Sequence, residues 1–277
     1  MPEVEINCPS CKRQGMVKIS DELLKNATRG LLAIDITKIF CDHSFVAYID
    51  KNLSVRDYFN VDYKVELPEF EIEQNYKEKK FVSVEQLNLS QVKLHLPGLL
   101  LSYILKAIFL KKKIIVLSDE SFLYNHGQNF FKYIMQNSFD FDLDFIPKDN
   151  FTVKKEIYKN HIVFEDIDII QDKNKIMSPK RLYIEKFIVN KFLSKLYSNS
   201  SLIILKNDVQ RIYYLTKVIV EKIQDHEGKK LHSIDLIHDI KEHYNVKISQ
   251  QFLNCLLEIA KNYFNIEFPN RLIVSFF

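Results

Sequence analysis

Hydrophobic and polar positions alternate regularly in the middle of the chain. Apolar side chains recur every three or four residues from Gly98 to Lys111, which predicts an amphipathic helix. The β-branched run at 113–118 is typical of a buried parallel strand. A second helix fits 122–136, and 139–145 alternates Phe or Leu with Asp, as a half-exposed strand does. Strand, helix and strand in this order predict a parallel sheet with a right-handed crossover.

The pattern on either side of this region predicts the domain organisation. Residues 161–170 predict one further strand, and 178–197 predict the helix after it. The segment 66–80 is charged and lacks periodicity, so we interpret it as a linker. The fold class that follows is mixed α/β. We expect three units, at residues 1–65, 81–200 and 201–277.

The C-terminal unit is predicted to be mostly helical. The short apolar run 202–204 predicts a strand, followed by a helix at 209–224. Ser233 and Ser249 are placed to cap two more helices, because a hydroxyl there can accept from a free backbone N–H of the first turn. The predicted core faces of these helices are Ile234, Ile237 and Ile240 in one and Phe252, Leu253, Leu256, Leu257 and Ala260 in the other. Two short strands are expected around Pro269 and Asn270.

Composition narrows the class of protein. Hydrophobic residues make up 47% of the chain, which is enough for a buried core. The formal charge is only +3, whereas a protein dedicated to nucleic acid normally has a larger basic excess. The first residues lack the pattern of a signal peptide, and the longest apolar stretch, 94–110, is interrupted by polar residues. We therefore expect a soluble, cytoplasmic protein without a membrane span.

Three of the four cysteines lie near the N-terminus and point to a metal. Cys8 and Cys11 have the C-x-x-C spacing that brings two thiolates to one ion. Cys41 and His43 lie two residues apart, so in an extended segment their side chains project to the same face. Four such ligands fill the tetrahedral shell of Zn²⁺ and leave no position for water. The sequence predicts one structural zinc ion held by these four residues.

The N-terminal cysteines have one alternative assignment, and the fourth cysteine is assigned separately. Cys8 and Cys11 could instead form an oxidisable dithiol, with Cys41 and His43 as ordinary strand residues. Cys255 lies in an apolar helical pattern and is expected to be a small buried residue.

Three segments resemble known families. Residues 1–65, with the C-x-x-C pair and the strand-like run CDHSFVAYIDKNLSVRDY, resemble a zinc ribbon. Residues 205–277, read as three helices and a hairpin, resemble a winged helix. Residues 90–195, with KAIFLKKKIIVLSD and VFEDIDIIQDKNKI, are similar to the core of DENN domains. The last resemblance implies regulation of small GTPases by protein contact.

The winged-helix resemblance implies DNA binding through the third helix, but the charges favour protein contact. That helix offers Lys261 as its only cation, and the hairpin adds only Arg271. Docking on phosphates normally needs several Lys or Arg on one surface. A nucleic-acid partner is therefore disfavoured.

Catalytic motifs are not evident. The chain contains no glycine-rich phosphate loop and no metalloprotease or serine-hydrolase motif. Two groups of aspartates on strand faces could hold a hard cation, but we favour solvated strand faces for both. They are Asp140, Asp142 and Asp144, and Asp166 and Asp168. His238 and His243 are five residues apart, so we expect a solvated helix face there too.

These observations favour a non-enzymatic adaptor or regulatory protein that acts through protein–protein contacts, linked by the DENN resemblance to small GTPases or trafficking. The competing hypothesis is a transcription-type nucleic-acid factor, in which a zinc ribbon and a winged helix occur together. An enzyme using Asp166 and Asp168 is a third class, and it would need a pocket around them.

Overall fold

The computed structural model describes residues 2–19, 31–37, 39–50, 52–61, 89–194, 199–225, 231–244, 248–268 and 272–273. Within these ranges the fold is mixed α/β, as predicted. The predicted linker at 66–80 lies outside the described residues.

The N-terminal part contains two small antiparallel sheets. Strands β1 (Glu3–Asn7) and β2 (Gln14–Lys18) form a hairpin. Strands β3 (Leu31–Thr37), β4 (Ser44–Asp50) and β5 (Val55–Val61) form the second sheet, with β4 in the centre. Side chains of both sheets share one core, which includes Val4, Ile6, Val17, Ile19, Leu32, Phe45, Ala47 and Ile49.

Strand β4 is buried on both faces. Phe45 and Ala47 point into the N-terminal core, whereas Val46 and Tyr48 pack against the helices of the next part of the chain. Because side chains alternate between faces, only a strand covered on both sides carries such a continuous apolar run. The chain reverses after β4, where Asp50 Oδ1 accepts from the backbone N–H of Asn52 at 2.9 Å.

A parallel sheet forms the next part, as predicted. After helices α1 (Leu89–His95) and α2 (Gly98–Phe109), strand β6 (Lys113–Leu117) leads through α3 (Phe122–Ile134) to the parallel strand β7 (Asp142–Ile146). Helix α4 (Lys148–Val153) then precedes β8 (Ile162–Glu165), which pairs in parallel with the other side of β6. The strand order is β7-β6-β8-β9, in which β9 is Asp168–Gln171.

The predicted single strand at 161–170 is wrong. It is a hairpin of β8 and the antiparallel strand β9 (Asp168–Gln171). Asp166 lies in the turn with φ of 50°, a left-handed conformation that Asp adopts more readily than most residues. Asp166 and Asp168 therefore do not share one strand face.

The predicted strand at 202–204 is also wrong. After a 3₁₀ turn (Pro179–Arg181), helices α5 (Tyr183–Ser194) and α6 (Asn199–Asp225) follow, and the apolar run belongs to α6. Leu202 and Leu205 are buried and Ile203 is exposed, which is a helical and not a strand pattern. A short apolar run cannot distinguish the two by periodicity alone. The helix predicted at 209–224 is the second part of α6.

The C-terminal part contains β10 (Leu231–His232), α7 (Ser233–Tyr244), α8 (Gln250–Asn262) and β11 (Leu272–Ile273). The predicted hairpin is not formed as expected, because β11 pairs in parallel with β10 and residues 265–268 are not in a strand. Pro269 and Asn270 themselves lie outside the described residues.

The predictions for the two C-terminal helices have mixed outcomes. Ser249 caps α8, since its Oγ accepts from the backbone N–H of Phe252 at 3.1 Å. All five predicted core residues of α8 are buried. In α7, however, Ile234 is 70% exposed and Leu236 is buried in its place. Residues two apart in a helix lie about 200° apart around its axis, so one helix face cannot bury both.

One hydrophobic core connects the helices and the parallel sheet. It contains residues of α2, α5, α6 and α8 and extends from Val46 to Tyr263, across the predicted boundary at residue 200. Helix α5 also contacts the β3–β5 sheet. The domain limits at 1–65, 81–200 and 201–277 stay a prediction.

A buried ion cluster joins three of these helices. Lys106 of α2 is 4% exposed, and its Nζ lies 3.4 Å from Glu185 of α5 and 2.6 Å from Glu258 of α8. Burial opposes the charge on Lys106, but Glu185 and Glu258 outweigh it and raise the pKa of the ammonium group. Lys106 is therefore charged in the folded protein. Burial raises the pKa of Glu185, and the charge of Lys106 acts against that rise.

Replacing Lys106 with Met should destabilise the fold. Glu185, which is 1% exposed, would lose its cation, and breaking a buried pair on one side costs about 3–5 kcal/mol. The measurement is the free energy of unfolding in urea. The Lys106→Met, Glu185→Leu double variant should recover most of the loss. Equal stability of the wild type and Lys106→Met would show that the pair contributes nothing.

Candidate metal centre

The first ligand loop closes the β1–β2 hairpin. Cys8 follows β1, and its carbonyl accepts from the N–H of Lys12 at 2.9 Å, while its own N–H donates to the carbonyl of Arg13 at 2.8 Å. Lys12 has a φ of 63°, which reverses the chain towards β2. This tight turn carries Cys8 and Cys11 on one loop, as the C-x-x-C spacing predicts.

The second ligand loop connects β3 to β4. Cys41 and His43 lie in the bend just before β4 and not in an extended strand, which differs from the prediction. Cys41 packs against the N-terminal core together with Phe40. The loop therefore rests on the same core as the hairpin.

The two loops bring all four predicted ligands together. The Sγ atoms of Cys8, Cys11 and Cys41 and a ring nitrogen of His43 all lie within 4.8 Å of one another. Ligands bound at about 2.0–2.3 Å in a tetrahedron would be about 3.3–3.8 Å apart, so a small inward movement closes the shell. The four residues could bind one metal ion.

The surroundings of the ligands suit a metal. Burial raises the pKa of Cys8, but hydrogen bonds from the backbone N–H groups of Cys11 and Ser10 outweigh it, and the net pKa is lowered. Burial raises the pKa of Cys41, against the effect of the backbone N–H of His43. A metal cation would favour both thiolates and would oppose the effect of burial on Cys41.

The ring of His43 has a buried nitrogen that is available to a metal ion. Its Nδ1 is buried and has no hydrogen-bond partner. Buried polar atoms in proteins are nearly always satisfied, so an orphaned ring nitrogen beside three thiols requires an explanation. Binding of the imidazole to an ion would remove the deficit, because coordination fixes one ring nitrogen and orients the other.

Gly15 makes room for the contact between the two loops. A Cβ on this residue would lie 2.1 Å from Cδ1 of Phe40. The ring of Phe40 packs there directly before Cys41 and meets Phe45 edge to face, with centroids 6.2 Å apart. The sequence pattern alone did not indicate that Gly15 and Phe40 pack against each other between the two loops. The available signal was a glycine after one cysteine pair and an aromatic residue before the other.

Searches of protein-family models, curated proteins and solved structures find no match for this chain. The likenesses to zinc ribbons, winged helices and DENN domains therefore stay hypotheses. No helix in the described part of the chain combines the length and the apolar character that a membrane span needs.

The other candidate residues do not converge on a metal. Within the described residues, the Cys8, Cys11, Cys41 and His43 group is the only cluster of this kind. Asp142 is exposed and lies 3.5 Å from Lys113, and Asp140 and Asp144 are exposed as well. Asp166 and Asp168 are exposed in the β8–β9 hairpin. These positions agree with solvated surfaces.

Two further predictions concern histidine and the fourth cysteine. His238 is exposed and lies 3.3 Å from Glu242 on the same helix face, which confirms a solvated face at this position. The side chain of His243 lies outside the described residues. Cys255 is buried in α8, as predicted.

Purified protein should contain one metal ion per chain, and the Cys8→Ser, Cys11→Ser double variant should contain none, because two of four ligands are lost. Elemental mass spectrometry of protein purified under reducing conditions measures this. The control is Cys255→Ala, which removes a cysteine far from the cluster and should retain the metal. A metal content that is the same in all three proteins would contradict the site.

Gly15→Ala should weaken the metal centre from outside the ligand set. The new Cβ would displace Phe40, and overpacking of this kind typically costs about 1–3 kcal/mol. We expect faster metal loss to a chelator. The Gly15→Ala, Phe40→Leu double variant, which trims the displaced ring, should lose metal more slowly than Gly15→Ala. Identical release from the wild type and Gly15→Ala would show that this contact is not needed.

Proposed function

We propose that the Cys8, Cys11, Cys41 and His43 cluster holds one structural zinc ion. Thiolate and imidazole together are the ligands that zinc prefers, and four of them fill its tetrahedral shell. Cys8 is fully buried, so a bound ion would lie against the N-terminal core. The ion would cross-link two loops and stabilise a zinc-ribbon-like unit.

We further propose that the chain is a cytoplasmic, non-enzymatic adaptor or regulator that acts through protein partners. The observation that supports this best is the position of helix α8. Its buried side packs against α6 and α7, and its outer side carries Lys261 as the single cation. Glu258 on the same helix is half exposed and pairs with Lys106. This nearly neutral face favours protein contact over phosphate contact.

The more specific version is a regulator of small GTPases or of trafficking. It rests on the likeness of 90–195 to a DENN core, in which a helix precedes a central strand and a later strand ends in acidic residues. Helix α2, strand β6 and the end of β8 at Glu165 and Asp166 follow that order. Glu165 pairs with Lys148, whereas Asp166 is exposed and available for contact with a partner.

The alternative is a nucleic-acid-associated factor. Its support is the element order from α6 to β11, which is helix, strand, helix, helix and strand, as in a winged helix. Strand β10, which directly precedes α7, pairs in parallel with β11. The charge of α8 is the reason that we place this function second.

The two functions predict opposite binding results. Mixing the full chain with the small GTPases of its source should give binding to at least one of them and a change in its rate of nucleotide exchange. Failure of every GTPase to bind would remove the specific version of the proposal.

DNA or RNA should bind weakly at low salt, and Lys261→Glu should not change the binding, because one exposed lysine contributes little alone. Fluorescence anisotropy across a salt series measures this. Tight binding with a steep salt dependence that Lys261→Glu reduces would instead establish the nucleic-acid function.

A further inference from the structure

Residues 148–160 cover one face of the parallel sheet. Phe151 and Tyr158 stack with ring centroids 6.1 Å apart and pack against Ile115, Leu117 and Val163. Gln171 of the edge strand β9 donates from Nε2 to the carbonyls of Tyr158 at 2.7 Å and His161 at 2.8 Å. The inner side of this segment is therefore filled and fixed to the sheet.

The outer side of the same segment carries two protruding aliphatic residues. Val153 is 84% exposed and Ile157 is 67% exposed. Consecutive turns connect them: the N–H of Lys154 donates to Asn150 at 3.1 Å, and that of Ile157 donates to Lys154 at 2.9 Å. Val153 ends helix α4, and Ile157 lies in the turns that follow it, so the two exposed side chains belong to one short segment.

These two side chains cannot turn inward without displacing the stacked pair. Phe151 is buried, and Tyr158 is half buried beside it, so the space beneath the segment is occupied. Single exposed aliphatic residues are common on protein surfaces. Two of them, close together in sequence on a fixed segment, form a small apolar tip, which we define as Val153 and Ile157.

Lysines surround the apolar tip. Lys154, Lys155 and Lys159 are all exposed, against one acidic residue, Glu156. Among the described residues, no ion pair involves any of the three. Lys148, at the start of the segment, differs because its Nζ lies 2.6 Å from Glu165. The positive charge beside the apolar tip is therefore available to an anionic partner.

We propose that the apolar tip and its three lysines dock on an anionic lipid surface. Val153 and Ile157 enter the headgroup region, and Lys154, Lys155 and Lys159 contact the negative headgroups, the combination by which peripheral proteins bind membranes. The site is separate from the metal centre and does not depend on it.

The form of the tip favours lipid over protein. A stable protein interface buries roughly 1,000 Å² or more and is usually anchored by Trp, Tyr or Arg. Here the protruding residues are two aliphatic side chains, and the aromatic residues of the segment face the sheet. Shallow insertion of aliphatic groups next to lysines needs no pocket on the partner.

Flotation of the full chain with vesicles tests the proposal. Vesicles of phosphatidylcholine with a third of phosphatidylserine should bind the protein, and vesicles of phosphatidylcholine alone should not. Val153→Ser, Ile157→Ser should reduce binding about tenfold or more. Replacing Lys154, Lys155 and Lys159 with Ala should reduce it by about fivefold for each lysine. All of these residues are exposed, so the variants should melt at the wild-type temperature.

Two matched variants control for general effects. Ile234→Ser removes an isoleucine of similar exposure on α7, and Lys173→Ala, Lys175→Ala removes two other exposed lysines. Both should bind like the wild type. Absence of binding to anionic vesicles at low salt overturns the proposal, as does binding that the tip variants leave unchanged. Loss of a protein partner in the tip variants, without any vesicle binding, would show that the tip is a protein interface.

Discussion

The meeting of the two cysteine loops, which could share one metal ion, is the constraint that organises the N-terminal part of the structure. Among the described residues, two small sheets enclose a core of ten buried side chains, and a core of this size supplies little stability alone. Cys8 belongs to that core, and Phe40 and Cys41 of the second loop pack against it. Joining both loops through one ion would therefore fix the hairpin on the β3–β5 sheet, and metal-binding energy would act as folding energy.

The β3–β5 sheet connects this unit to the rest of the protein. Strand β4 supplies Phe45 and Ala47 to the N-terminal core and Val46 to the helical core, so the two cores share one strand. On the helical side, α5 contacts that sheet and also carries Glu185, which pairs with Lys106 of α2. Loss of structure at the metal centre would therefore also destabilise the packing of the helices, because β4 and α5 contact both parts.

Sequence patterns identified what depends on local chemistry and missed what depends on tertiary pairing. The clustering of Cys8, Cys11, Cys41 and His43, strand β6, the cap at Ser249 and the core face of α8 each have a local signal, and the structure agrees with them. The hairpin at Asp166 arises from one left-handed residue in an apolar run. The run at 202–204 lies in a helix because α6 packs on α5. The two-residue strands β10 and β11 pair although α7 and α8 separate them in the sequence. No signal in the neighbouring sequence indicates these three features.

X-ray absorption at the zinc K-edge on the purified full chain tests the central claim most directly. The account predicts one zinc ion with three sulfur neighbours at about 2.3 Å and one nitrogen neighbour at about 2.0–2.1 Å, the shell that Cys8, Cys11, Cys41 and His43 would provide. A shell of oxygen and nitrogen alone, or the absence of zinc from protein kept reduced, would contradict it. The N-terminal unit would then have to be held by its small core alone.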